Sequence, residues 1–289
     1  MTAQEADGRK TAKTVVFADN DVLLVEAIGE LLRDKGYEVH VAQDGLEALL
    51  AIRKVKPDFV ILDIVMPRLD GSRVCWFVRQ DPALRDTPII AFSGLSPLDI
   101  RRFPELSADA YVAKGPLAIV ASNMLAAIKY LEEKGRGDFS GGIFGYEGFR
   151  PRKLISEMLL WKQHWEQLIR TFGYGVLELD PGGRILMANA AASELLGDKE
   201  IRLIGKALPA LCHARDRNPV QDILDKLSKA RLPGVHQVVI HLGNHELELR
   251  FASTVEDGEC AGILCTLEPT ASAARVQKGR PAKEVGQAL

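Results

Sequence analysis

Cysteine is scarce in this chain, and the few present follow no pairing pattern. Cys75, Cys212, Cys260 and Cys265 are dispersed, with no CxxC spacing and no histidine at zinc-finger distance. That excludes a disulfide scaffold or a structural zinc site and reads as free thiols in a reducing cytoplasm. Charge of one sign is also lacking. The formal net charge is -2, so the chain as a whole offers no electrostatic case for nucleic acid or an acidic membrane. Long apolar runs are absent: stretches such as Phe59–Val65 are far too short to span a bilayer. The polar opening, MTAQEADGRKTAK, does not lead into the apolar stretch of a secretory signal. What remains, over 289 residues, is length enough for two ordinary domains.

Residues 14–133 alternate between strand-like and helix-like patterns. Thr14–Asp19 is a short apolar run, and Val22–Lys35 places Leu24, Ile28, Leu31 and Leu32 at helical spacing. Glu38–Ala42 alternates, and Gly45–Lys54 is helical. Phe59–Asp63, Pro88–Ser93 and Ala110–Ala113 read as further strands, the first a continuous apolar run. Leu117–Glu133 closes as a long amphipathic helix. Five such units imply an α/β domain: a five-stranded, doubly wound parallel sheet with its site beyond the carboxyl ends of the strands. Residues 134–150 are glycine-rich and read as a flexible linker. In 151–172, Leu154, Met158, Trp161, Trp165, Leu168 and Phe172 recur at alternating separations of four and three, the seam of a coiled coil. That segment is either a dimerising connector helix or one amphipathic helix lying on the next domain. Residues 173–268 place strands outside and helices between, an α+β domain with an antiparallel sheet. Residues 269–289 have the composition of a disordered tail.

The strand ends of the first domain collect Asp19-Asn20-Asp21, Asp63, Ser93 and Lys114. Acids gathered at one edge repel each other unless a cation sits among them, and oxygen donors of this kind suit Mg²⁺. A hydroxyl and an ammonium on neighbouring strands can hold the other oxygens of a phosphoryl group. The pattern points to metal-assisted phosphoryl transfer onto a carboxylate.

With those residues in place, 14–133 resembles the receiver domain of two-component response regulators (CheY-like), best along Val60-Ile-Leu-Asp-Ile-Val-Met-Pro-Arg-Leu-Asp-Gly71. The resemblance implies Asp63 as phospho-acceptor and Mg²⁺ held by Asp19, Asn20, Asp63 and the main-chain carbonyl of Val65. It also implies Ser93 as switch hydroxyl, Tyr111 as switch aromatic and Lys114 as the phosphate-contacting lysine. Two departures stand out. Asn20 replaces an acid, which lowers metal affinity unless Asp21 compensates, and Gly115 separates Lys114 from Pro116. Val65 and Leu95, two residues beyond Asp63 and Ser93, cannot hydrogen-bond a water, so slow self-dephosphorylation is expected.

Residues 173–268 resemble a PAS domain through Gly175–Asn189, Glu194-Leu-Leu-Gly197 and Leu203-Ile-Gly-Lys206. No flavin-binding cysteine pattern surrounds Cys212-His213. His241 and His245, flanking Gly243-Asn244, make at most half a metal site, and His164 reads as a helix-surface residue. The expected function is a non-enzymatic response regulator. A partner histidine kinase phosphorylates it, and output passes by protein–protein contact through a homodimer of connector helix and PAS domain. No nucleic acid or membrane takes part. The competing readings are a phosphorylation-independent scaffold and a PAS ligand sensor, each with a degenerate receiver.

Overall fold

The computed structural model describes residues 12–96, 106–135, 142–146, 153–229, 231, 234–242 and 245–270. The chain divides into two compact units, Met1–Trp161 and Lys162–Leu289.

In the first unit, β1 (Thr14–Ala18), α1 (Val22–Asp34), β2 (Glu38–Ala42), α2 (Gly45–Val55), β3 (Phe59–Asp63), α3 (Gly71–Gln80), β4 (Ile89–Ser93), β5 (Ala110–Ala113) and α4 (Leu117–Lys134) follow the expected alternation. Residues 97–105, between β4 and β5, lie outside the described residues. All pairings in the sheet are parallel, in the order β2-β1-β3-β4-β5-β6. The central strands β3 and β4 are buried along their whole length, as strands covered on both faces must be. One side of the sheet packs Val15, Phe17, Ile61, Ile90, Phe92 and Val112 against Ile28, Met124 and Ile128 of α1 and α4. Three helices begin at an aspartate that caps them: Asp21 accepts from Leu24 N, Asp44 from Glu47 N and Asp70 from Arg73 N.

The sheet has six strands where the pattern implied five. β6 (Ile143–Phe144) comes from within the glycine-rich segment read as a linker and pairs Tyr111 with Ile143 and Val112 with Phe144. Two residues are too few for periodicity to reveal a strand. The rest of that segment falls largely outside the described residues, as does the expected tail beyond residue 270.

Helix α5 (Lys153–Arg170) crosses the division between the units. Its described seam residues Met158, Trp161, Trp165 and Leu168 are exposed, as is Phe172 just beyond it. The second unit then runs β7 (Gly175–Leu179), β8 (Ile185–Ala188), α6 (Ala190–Leu196), α7 (Glu200–Leu203), α8 (Leu208–Leu211), α9 (Ala214–Ser228), β9 (Val235–Leu242), β10 (His245–Glu256) and β11 (Glu259–Pro269). Its antiparallel sheet has the order β8-β7-β11-β10-β9. Asp180 shapes the β7–β8 turn, its Oδ1 accepting from Arg184 N at 2.8 Å. Helix α9 begins at Ala214 and runs through Pro219. Pro219 is the sixth residue of that helix. Since the first four amides need no intrahelical partner, the ring removes only one or two possible bonds there. No described helix is long and apolar enough to cross a membrane.

Candidate functional site

Asp19 follows β1, Asp63 ends β3, Ser93 ends β4 and Lys114 follows β5, so four neighbouring strands deliver four polar groups to one edge. Lys114 joins them. Its Nζ lies 2.7 Å from Asp19 Oδ2 and 2.8 Å from Asp63 Oδ2. The same ammonium sits 5.1 Å from the centroid of the Phe92 ring, a cation–π contact that nothing in the motif announced. Its backbone N donates to Ser93 O at 2.9 Å, tying the ends of β4 and β5 together.

The remaining carboxylate oxygens meet main-chain amides. Asp19 Oδ1 accepts from Asp21 N at 2.9 Å, and Asp63 Oδ1 accepts from Val65 N at 3.2 Å. Asp19 Oδ2 is buried and meets the ammonium as an ion pair, without a directed hydrogen bond. Both acids are buried, so two negative charges share one positive partner in a low-dielectric edge. Burial pushes the Asp63 carboxyl up to about 6; Lys114 opposes that rise and Asp19 adds to it.

The loop after β3 returns close behind Asp63. A Cβ on Gly71 would lie 2.1 Å from Asp63 O, so only glycine lets α3 start this close behind the acid. Arg68 takes a left-handed conformation (φ 62°) and pairs with Asp44 Oδ2 at 2.7 Å, tying this loop to the N-cap of α2.

Asn20 is exposed at the rim and Val65 is half-buried. Asp21, considered as a substitute acid, caps α1, its Oδ1 accepting from Leu24 N at 3.2 Å. Ser93 is buried, its Oγ accepting from Leu95 N at 3.0 Å, and the Leu95 side chain is fully buried. Tyr111 points inward, its hydroxyl donating to Leu106 O at 3.1 Å, and burial holds its phenol well above the usual range. In the second unit Cys212 is buried, while His164 and His213 are exposed. His241 lies between Asp216 (3.5 Å) and Glu246 (3.7 Å), and the side chain of His245 and the Gly243-Asn244 turn lie outside the described residues.

A hard divalent cation fits this donor set. Two buried carboxylates with one counter-charge leave negative charge uncompensated, and Mg²⁺ is commonly held through one or two carboxylates with waters and a phosphate. Among the described residues no group of three or more His, Cys, Asp or Glu side chains could hold a metal, which agrees with an amide standing at position 20.

The family model of the response regulator receiver domain matches residues 15–129, and that of the PAS fold matches residues 163–270. The chain carries a receiver domain followed by a PAS domain. Over 106 residues it is 35% identical to the gliding motility regulatory protein of Myxococcus xanthus, a match covering 36% of this chain and 14% of that protein. Over 101 residues it is 33% identical to the DNA-binding response regulator MtrA of Mycobacterium tuberculosis, covering 35% of this chain and 43% of that one. Chemotaxis response regulator CheY4 of Vibrio cholerae matches with 27% identity and a TM-score of 0.39, covering 41% of this chain and 99% of that one. The chain thus spans less than half the length of these two curated relatives. The receiver domain is the module this chain shares with these response regulators.

Proposed function

We propose that this receiver accepts a phosphoryl group on Asp63 from a partner histidine kinase and signals through its PAS domain. The observation that carries this reading is the Lys114 ammonium held within 2.8 Å of both Asp19 and Asp63 at the carboxyl edge of a parallel sheet. In the transfer, an Asp63 carboxylate oxygen attacks phosphorus and forms the new O–P bond. The P–N bond of the donor's phosphohistidine breaks, leaving its electron pair on the imidazole, which takes a proton from solvent. Lys114 offsets charge on the transferred oxygens, and the Ser93 hydroxyl donates to one of them. Asp19, Asn20, Asp63 and the Val65 carbonyl would hold Mg²⁺, which supplies positive charge to the transferred group. Exposed apolar residues flank the site: Val22 and Leu23 in the first turn of α1, and Leu117 at the start of α4. They offer the donor protein a surface to dock on.

For output, the exposed seam of α5 supports a homodimer through connector helix and PAS domain. The reading places the protein in the cytoplasm, where its four free thiols stay reduced. Acetyl phosphate with Mg²⁺ should add the mass of one phosphoryl group, and Asp63→Asn should abolish that gain. The amide at position 20 favours a second reading, a scaffold that needs no phosphorylation. No mass gain at saturating magnesium would select it.

A further inference from the structure

Strand β6 adjoins the switch machinery. Tyr111 N donates to Gly142 O at 2.6 Å, Tyr111 and Val112 pair with Ile143 and Phe144, and the Tyr111 side chain is itself buried. Three residues further along the same chain stands Lys114, whose ammonium is on Asp63 and whose amide is on Ser93 O. One short stretch, 111–114, therefore joins the acceptor site to β6. In sequence, β6 is the last described element before α5.

The attachment of β6 is built to be marginal. It is two residues long. Beyond the pairing with β5, Phe144 packs partly buried against the core of the sheet, its ring meeting Tyr130 edge-on at 6.0 Å, and Tyr146 lies near enough to Tyr111 to act on its phenol. A cleft of about 730 Å³, lined by Ile119, Asn123, Ile143, Phe144, Gly145 and Tyr146, remains along α4. Gly145 has φ 80°, and a Cβ there would fall 2.3 Å from Asn123 Nδ2, so the strand leaves β5 only through a glycine. An edge strand of only two paired residues opens at lower free-energy cost than the central strands, which is what a signalling element requires.

We propose that β6 is the receiver's intramolecular output element: phosphorylation of Asp63 tightens its seating on β5 and so passes the signal along residues 142–146 towards α5. The proposal rests on the reading of Asp63 given above. A phosphoryl group on Asp63 gathers the Lys114 ammonium and the Ser93 hydroxyl onto its oxygens. It thereby fastens together the ends of β4 and β5, which Lys114 N and Ser93 O already link. A firmer β5 frays less, and the strand paired to it opens less often. Coupling of this kind is reciprocal, so opening β6 must weaken binding at Asp63, by up to the same factor when the strand is fully released.

Hydrogen exchange on the full chain, with and without beryllofluoride and Mg²⁺ as a phosphoryl mimic, tests this. Amides of 142–146 and 110–114 should exchange about fivefold more slowly or better when the mimic is bound, the lower end of ordinary coupling. Gly145→Val and, separately, Phe144→Ser should speed exchange at 110–114 in the free protein and weaken beryllofluoride binding by up to a similar factor, read by fluorine NMR. Mimic bound to the wild type with exchange at 142–146 unchanged or faster would overturn the inference and leave the acceptor reading standing. Unchanged affinity in both variants, with 110–114 loosened, would overturn it too. No binding to the wild type at all would remove both.

Discussion

Lys114 holds two buried carboxylates with one charge, and the properties expected of single residues follow from that imbalance. The Asp63 carboxyl titrates at about 6 in the folded protein against 3.8 as an ordinary aspartate, so the folded state binds its proton more tightly than the unfolded chain does. The stability it contributes is therefore fully present below 3.8 and lost as pH rises through about 6. In magnesium-free buffer at neutral pH, Asp63→Asn should raise stability by roughly 1–3 kcal/mol. Denaturant titrations of both proteins from pH 4 to 8 should show that difference opening across this window. Lys114→Met should act in the opposite direction. Leaving two buried acids without a cation costs roughly 2–4 kcal/mol, less than a fully buried pair because Lys114 is partly exposed. Added Mg²⁺ should return part of the loss. The lifetime of the phospho-form is expected to exceed seconds. Half-buried Val65 offers a hydrolytic water no hydrogen bond, and Leu95 is buried away from it. Val65→Asn should shorten that lifetime severalfold, measured as the decay of the mass adduct after donor removal; a wild-type form already lost within seconds would contradict the expectation.

Elements were legible where a pattern could repeat. β1, β3 and β4 declared themselves as apolar runs, and each ends at or just before a polar residue (Asp19, Asp63, Ser93) that the sheet brings to its carboxyl edge. The pairing of Lys114 with both Asp19 and Asp63 could be suspected from the motif, because adjacent parallel strands align their ends. The Phe92 ring under that ammonium could not, since a phenylalanine in a buried strand is first of all core. Asp21 has a role the acidic cluster did not suggest: its position before Val22 makes one of its carboxylate oxygens the cap of α1. β6 and the two four-residue helices α7 and α8 are too short to carry any period. In the PAS domain one residue joins several elements. Asn189 caps α6 through Ala192 N, accepts from Val176 N, and donates to Ile169 O at the end of α5 and to Tyr174 O. Asn189→Ala removes the cap and strands buried partners, at a cost of roughly 2–4 kcal/mol. The melting temperature of the isolated variant, compared with wild type, measures it. A loss within experimental error would mean that water replaces the amide.

At the scale of the whole molecule, the receiver and the PAS domain are joined in sequence by a helix whose described apolar seam faces solvent. Trp161 and Trp165 are 67% and 60% exposed. A seam of that kind is covered in solution by another copy or it promotes aggregation. Trp161→Glu with Trp165→Glu should convert a sedimenting dimer to a monomer while leaving the Asp63 site intact; a wild type that already sediments as a monomer would contradict the homodimer. The joint presence of receiver and PAS domains was legible because each carries its own motif. What the output contacts was not, since no motif describes a partner's surface. The account stands or falls on Asp63 as the acceptor, and borohydride trapping tests it most directly. Reduction of the acyl phosphate formed with acetyl phosphate and Mg²⁺ should leave homoserine at position 63 in the peptide map. Reduction at another acid, or no reduced residue at all under saturating donor, would contradict the account.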